Sequence, residues 1–454
     1  MDDSFFTAHT NSGDDMLNAV WADHSRLPDF ESLDHDIRTD VLIIGGGLAG
    51  ILCARGLAED GVDYTLIEAD RICHGVSRNT TAKITSQHGL IYDKLIGEFG
   101  VDTARRYYDA NEAALGEYRR LAQSIPCDFE TKDNYIYSRG SAEKLEKELA
   151  ALERMDVRAE FAEKLPLPFP VAGAVRFRNQ AQFHPLKFAA GIAKGLNIYE
   201  HTAARAFEGN RVVTDRGTIR AEKIIVTTHF PILNKHGSYF LKMYQDRSYV
   251  LALEKGPQID GMYLDEAEGG LSFRNYGSQL LLGGGGHRTG KQGRGWSDLE
   301  AFAAENYPGT KESCRWAAQD CMTLDGIPCI GQYSKRTPDL YVATGFNKWG
   351  MTSSMVSALI LRDLVQGKEN AYAPAFSPSR TMLRPQLFAN GLEAVANLLT
   401  LSKPRCPHMG CALKWNPWEH SWDCACHGSR FTETGKLLDN PATGDLKHPP
   451  AKPQ

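Results

Sequence analysis

The stretch TDVLIIGGGLAGILCARGLAEDGVDYTLIEAD, from Thr39 to Asp70, admits few folds. VLII is an unbroken apolar run, as a strand covered on both faces of a parallel sheet requires. Gly45, Gly47 and Gly50 then form GxGxxG at the start of a helix running to about Asp60. The first glycine permits a tight turn, the second lets backbone approach a pyrophosphate, and the third lets helix and strand pack closely. The helix N-terminus offers free N–H groups and a positive dipole to phosphates. Glu68 ends the next strand 18 residues after Gly50, where an acidic side chain accepts hydrogen bonds from a ribose. The unit predicts a dinucleotide site and, taken alone, leaves FAD and NAD both open.

With 454 residues, 42 glycines and 42% hydrophobic residues, the chain should form two or three packed units. Its 51 basic and 56 acidic residues leave a net charge of −5, and no basic run marks a nucleic-acid or anionic-membrane surface. The opening MDDSFFTAHTNSGDD lacks the positive and apolar regions of a signal peptide, and no apolar run reaches the ~18 residues of a membrane helix. A cytoplasmic location is the expectation. The ten cysteines do not read as a secreted disulfide framework, but four fall within 21 residues of one another, in the phrases CPHMGC and CACHGS. That crowding predicts a metal site.

The pattern is Cys406-x-His408, fifteen residues, then Cys424-x-x-His427. Two cysteines and two histidines would suit tetrahedral zinc. Against zinc, CxH is tighter than the usual CxxC knuckle, and each half carries a further cysteine, Cys411 or Cys426, that zinc does not need. The whole phrase resembles the Rieske [2Fe-2S] signature, CxHxGC followed by CxCHGS. The resemblance implies that Cys406 and Cys424 bind one iron and His408 and His427 the other. From cytochrome-bc-type Rieske proteins it carries over a disulfide between Cys411 and Cys426. Ser429 matches the serine that hydrogen-bonds a bridging sulfide in high-potential members. Phe431 replaces their tyrosine, which implies a potential below that class. Trp415, Trp418 and Trp422 are expected to pack around the cluster. Residues Pro385 to Arg405 read as one amphipathic helix and a linker, so only the cluster-binding subdomain is expected, its open side covered by the rest of the chain or by a second subunit.

TLDGIPCIGQYSKRTPDLYVATGFNKWGMTSSMVSALILRDLVQG, from Thr323 to Gly367, resembles the closing element of the glycine and D-amino-acid oxidase family of FAD proteins. The matching features are TxDGxPxIG, the strand LYVATG ending at Gly345, and the helix start at Gly350, Met351 and Thr352. In that family this helix points its N-terminus at the flavin, where the dipole stabilises negative charge. FAD is therefore the nucleotide implied. The resemblance also places Thr227 and Thr228 near the cofactor. It gives Thr80, Thr81, Ala82 and Lys83 as contacts on a loop along the pyrophosphate and flavin. For Lys83 and His88, ordinary loop polarity is the competing explanation.

The likeness covers roughly residues 38 to 370 and is thin in the middle. It implies an α/β, Rossmann-like, three-layer FAD-binding domain from residues 38–90, 171–230 and 320–370. An antiparallel α+β substrate domain from residues 91–170 and 231–319 is inserted into it. Residues 1–37 form an N-terminal extension, 371–400 a linker and helix, and 401–454 a small all-β Rieske subdomain. LLLGGGGHRTG, Leu280 to Gly290, is read as a sheet turn, because HRTGKQGRGWS cannot form a dinucleotide-binding helix. Arg274 stands where relatives place a residue facing the substrate carboxylate, or is a strand arginine reaching solvent.

Two absences bear on chemistry. Ala318 occupies the position of the cysteine that holds FAD covalently in sarcosine-oxidase relatives, so FAD should be held non-covalently. Leu281 and Leu282 precede Gly283, where those relatives carry an oxygen-activating lysine. Losing a cation beside the flavin weakens an oxidase reading. The implied activity is dehydrogenation of a small amine or amino acid, with electrons passing through the cluster to an external protein or quinone. A redox carrier or sensor without a small substrate, and a peroxide-forming amine oxidase with a structural cluster, are the alternatives. No catalytic side chain is singled out, and the oligomeric state stays open, a homo-oligomer included.

Overall fold

The computed structural model describes residues 18–22, 26–233, 236–381 and 404–447. The glycine-turn unit folds as strand Ile37–Ile44, helix Leu48–Glu59 and strand Tyr64–Ile67. The two strands pair in parallel, and every residue of Tyr64–Ile67 is buried. Burial on both faces is why these strands read as apolar runs rather than as alternation. Across this sheet the order is Cys329–Gln332, Leu340–Thr344, Thr218–Val226, Ile37–Ile44, Tyr64–Ile67 and Ile198–Tyr199. Helix Leu48–Glu59 packs against the long helix Gly350–Val365, bringing the two glycine-marked helix starts to one side of the sheet.

A second sheet runs in the order Lys311–Thr323, Met243–Glu254, Gln279–Arg288, Ser272–Tyr276, Met262–Asp265, Glu130–Ser138, Gly173–Gln182 and Lys83–Ile84. Its neighbours along this path are antiparallel except Met262–Asp265 with Glu130–Ser138. Here the domain boundaries need correction. Gly173–Gln182, expected within the FAD-binding segment 171–230, pairs instead with Glu130–Ser138, Tyr135 lying opposite Arg176. Lys83–Ile84 and the end of Lys311–Thr323 also belong to this sheet. Strand partnership is a non-local property, so a boundary drawn on local pattern misses it.

The C-terminal unit is a four-stranded antiparallel sheet of Leu413–Asn416, Ser421–Cys424, Arg430–Thr432 and Leu437–Asp439. Its small core includes Cys406, Leu413, Trp422, Phe431 and Leu446. The rest of the chain covers its open side. Gln245 and Gln319, from the second sheet, donate through Nε2 to His427 O at 2.9 Å and Gly428 O at 2.8 Å. Of the expected linker and helix, residues 382–400 lie outside the described residues. Among the described residues, no helix is long and apolar enough to cross a membrane.

Candidate active site and metal centre

One cleft of about 1280 Å³ opens where the three units meet. The glycine turn and residues 227–229 form one wall, the second sheet forms its floor, and residues 436–440 and 442–445 of the C-terminal unit form another wall.

In the turn, a side chain at Gly50 would put its Cβ 2.0 Å from Gly45 O, so helix and strand end approach closer than any other residue allows. Thr227 Oγ1 donates to Ile44 O at 3.1 Å and Gly45 O at 2.9 Å, tying the neighbouring strand end to that turn. Gly45, Gly47, Glu68 and Thr227 line the cleft, while Gly50 sits behind it. The Glu68 carboxylate accepts from Gly46 N at 2.6 Å and Asp70 N at 3.0 Å. Burial raises its carboxyl above the usual range, and these N–H groups oppose that.

The loop after this turn is fastened from behind, carbonyl by carbonyl. Trp316 Nε1 donates to Asn79 O at 3.2 Å, Trp21 Nε1 to Thr80 O at 2.8 Å, and Arg274 Nη1 to Thr81 O at 2.7 Å and Ala82 O at 3.1 Å. Thr80, Thr81 and Lys83 are left facing the cleft; Ala82 is buried outside it, in a left-handed conformation at φ 52°. Lys83 Nζ donates to Thr81 Oγ1 at 3.0 Å. Burial, with the charge of Arg274, brings its ammonium down to about 7. Arg274 is thus neither a solvent-reaching arginine nor a cleft residue: it is fully buried and braces the loop. Trp21, from the N-terminal extension, is equally buried. Neither role has a local sequence signal.

At the second helix start, Gly350 and Met351 line the cleft, whereas Gly345 and Thr352 do not. Thr352 Oγ1 lies 2.9 Å from His88 Nε2, and the His88 ring stacks on Trp349 at 4.7 Å. Burial pushes the His88 imidazole down to about 3, so a neutral ring braces this helix.

The floor follows from strand register. Tyr244, Asp246 and Ser248 stand opposite Met322, Asp320 and Ala318 on the neighbouring strand, and all six face the cleft. Asp246 and Asp320 are thus a directly opposed like-charge pair, which costs stability in a sheet. Lys348, at φ 71° in the turn before the second helix, places Nζ 2.7 Å from Asp246 Oδ1. Burial pushes the Asp320 carboxyl up to about 6, against the pull of Lys348. Leu281 and Leu282 are buried, yet the cleft is not without cations, because Lys83 and Lys348 reach it from other segments.

The metal-ligand pattern also converges. The His408 and His427 rings lie 4.9 Å apart at 88°, and the sulfurs of Cys411, Cys424 and Cys426 lie within 4.8 Å of one another. Hydrogen bonds from Cys406 above all, then Cys411 and Cys426, hold the Cys424 thiol well below its ordinary value. His427 Nδ1 is buried and has no hydrogen-bond partner, the state of a ligand nitrogen whose partner is not protein. Two thiols and two imidazoles so placed fit the four-ligand [2Fe-2S] set. All ten cysteines are free thiols here, so the expected Cys411–Cys426 disulfide is not formed. Trp415 and Trp422 pack together at 5.2 Å. Trp418 turns outward, and its Nε1 donates to Gly293 O at 3.1 Å.

That contact explains the glycine-rich stretch read as a sheet turn. Its glycines continue the strand Gln279–Arg288, and the loop beyond receives the C-terminal unit. A Cβ at Gly290 would lie 2.5 Å from Ala425 N, between the second ligand pair. Close backbone approach is the reason for glycine there.

Comparisons with known proteins agree with this architecture. The family described as FAD dependent oxidoreductase matches residues 40–364, and the Rieske [2Fe-2S] domain matches residues 396–450. The chain is 36% identical over 493 residues to the "Putative Rieske 2Fe-2S iron-sulfur protein YhfW" of Bacillus subtilis (strain 168), covering 94% of this chain and 96% of that protein. Identity to gamma-glutamylputrescine oxidoreductase of Escherichia coli (strain K12) is 24% over 392 residues, covering 76% and 88%. Glycine oxidase from Geobacillus kaustophilus superposes with a TM-score of 0.64 at 19% identity, covering 76% of this chain and 99% of that one. At such identity the structural likeness is one of fold.

Proposed function

Because the chain belongs to the FAD dependent oxidoreductase family and ends in a Rieske [2Fe-2S] domain, we propose that it dehydrogenates a small amine or amino acid and delivers the electrons to an acceptor outside the chain, a protein or a quinone. FAD supplies a hydride acceptor for the carbon bearing the amine, and the [2Fe-2S] cluster supplies a one-electron site.

The observation that carries this reading is the shared cleft: the dinucleotide turn and a segment of the cluster subdomain are walls of one cavity. We assign Gly45, Gly47 and Gly50 to the pyrophosphate turn and Glu68 to the ribose end. Thr80, Thr81, Lys83, Thr227, Gly350 and Met351 flank the flavin, with Ala82, Gly345 and Thr352 supporting them from behind. Cys406, Cys424, His408 and His427 hold the cluster, and the closeness of Cys411 and Cys426 supports their pairing in the oxidised protein. Ala318 on the floor supports non-covalent FAD.

The floor suits an amine. Two carboxylates, Asp246 and Asp320, face one ammonium, Lys348, and the surplus negative charge attracts a cationic substrate. Hydride departs from an amine carbon only when the nitrogen lone pair is free, so a floor carboxylate that accepts the ammonium proton would prepare the substrate. The name of one sequence relative, an oxidoreductase of gamma-glutamylputrescine, supports the same class.

Anaerobic mixing with a panel of amines and amino acids tests the proposal. A substrate should bleach the flavin and then produce the EPR signal of the reduced cluster. Inertness to the whole panel would refute the dehydrogenase and favour a carrier. A second reading is favoured by Lys83 and Lys348, since a cation beside reduced flavin promotes its reaction with oxygen. Fast reoxidation by air, unchanged when His408 or Cys424 is replaced, would make the protein an oxidase with a structural cluster.

A further inference from the structure

We infer that the segment Thr227–Phe230 is the electron contact between the flavin pocket and the cluster, with Phe230 as the side chain that joins them. This rests on the reading that substrate electrons leave through the cluster.

At its start, Thr227 is bonded to the glycine turn, and residues 227–229 line the cleft. At its end, Phe230 is 1% exposed. Its ring lies 6.4 Å from that of His408 and 6.5 Å from that of His427, edge-on to both. Three peptide steps separate Thr227 from Phe230, a span of at most about 11 Å. The cleft wall and the paired imidazoles are therefore neighbours through one short stretch of backbone and one aromatic ring.

Both units grip this stretch. Thr344 Oγ1 donates to His229 O, and Asn440 Nδ2 of the cluster subdomain donates to Thr228 O and to Phe230 O. Phe240 adds a second ring 6.1 Å from His427, which is itself only 3% exposed. His427 thus faces inward, and an acceptor in solution cannot reach it without displacing these rings, whereas His408 is only partly buried. Gln245, Gln319 and the Gly290–Ala425 approach hold the ligand loop in place, so the contact does not depend on a swing of the subdomain.

With both groups bound, two successive one-electron transfers across this contact would return FADH2 to FAD, with two protons released to solvent. The external protein or quinone acceptor must empty the cluster between them, since one cluster holds one electron.

The test is flash photoreduction of flavin in the full-length holoprotein without oxygen or amine, so an inactive substrate panel would leave it unaffected. Cluster bleaching in the wild type should be first-order, at a rate independent of protein concentration. Phe230→Ala should slow it about tenfold or more, the scale on which outer partners of metal ligands act. The Phe230→Tyr variant, which keeps the ring, should restore it. Should the alanine variant not load a cluster, Phe230→Leu serves: slowing supports the proposal, and the wild-type rate overturns it. A wild-type rate in Phe230→Ala with an intact cluster EPR signal overturns it as well, as does a rate that rises with protein concentration.

Discussion

Replacing Glu419 by glutamine should loosen the cluster subdomain from the rest of the chain. Glu419 is 10% exposed at its side chain and is shared between two arginines. Arg247, from the second sheet, donates through Nε to Oε1 at 3.0 Å and through Nη2 to Oε2. Arg430 Nη2 lies 2.9 Å from Oε2, and Tyr249 OH lies 3.3 Å from Oε1. Burial pushes the carboxyl up, but Arg247 and Arg430 outweigh it and hold it at about 2, against an ordinary 4.5. At ~1.4 kcal/mol per pKa unit, the folded environment favours the charged form by about 3 kcal/mol. Because the folded pKa is depressed, this contribution is complete above pH 4.5 and is lost as pH falls towards about 2. At neutral pH all of it is present.

Glutamine keeps the shape and strands the charge. Arg430 retains Asp423 and Asp439. Arg247, 4% exposed at its side chain, has no other ion pair among the described residues. A buried charge left alone costs about 3 to 5 kcal/mol, in line with the figure from the pKa. Adding Arg247→Met to Glu419→Gln removes the stranded charge and should recover most of the loss. Urea transitions followed by the visible circular dichroism of the cluster measure this unit directly, which matters because a multi-domain chain does not unfold in two states. A Glu419→Gln midpoint equivalent to less than about 0.5 kcal/mol of change, or a double variant no better than the single one, would refute the reasoning.

Ser429→Ala should lower the cluster potential, since the buried Ser429 hydroxyl draws the Cys406 thiol down, opposing Cys424 and burial, which raise it. A hydroxyl–sulfur interaction of about 1 kcal/mol, at ~59 mV per 1.4 kcal/mol for one electron, corresponds to about 40 mV in a redox titration. In steady-state assays with an amine, kcat/KM should fall as pH drops below about 6, where Asp320 gains its proton. Asp320→Asn should abolish that limb and cost about 100-fold at neutral pH; a retained limb would exclude Asp320 as its origin.

What could be read from the chain in advance is what depends on near neighbours. GxGxxG with its flanking strands is a local geometry, and Gly45 and Thr227 meet as that geometry demands. Cys406, His408, Cys424 and His427 stand out by spacing because all four lie at two short turns of one small sheet. The cations of the cleft are non-local. Leucines precede Gly283, and Lys348 enters the cleft instead from the turn that starts the last long helix. Arg274 and His88 are buried braces rather than surface or cleft groups, a distinction set by partners 192 and 264 residues away.

The sequence by itself therefore determined the two cofactor motifs, because their turns and ligand loops are closed by residues a few positions apart. Tertiary structure alone decided the rest: which strands share a sheet, that Asp246 faces Asp320, that Trp21, Trp316 and Arg274 fasten one loop, and that Phe230 lies against both cluster histidines. Those contacts join segments far apart in the chain, and only packing of the sheets and of the small C-terminal unit brings them together.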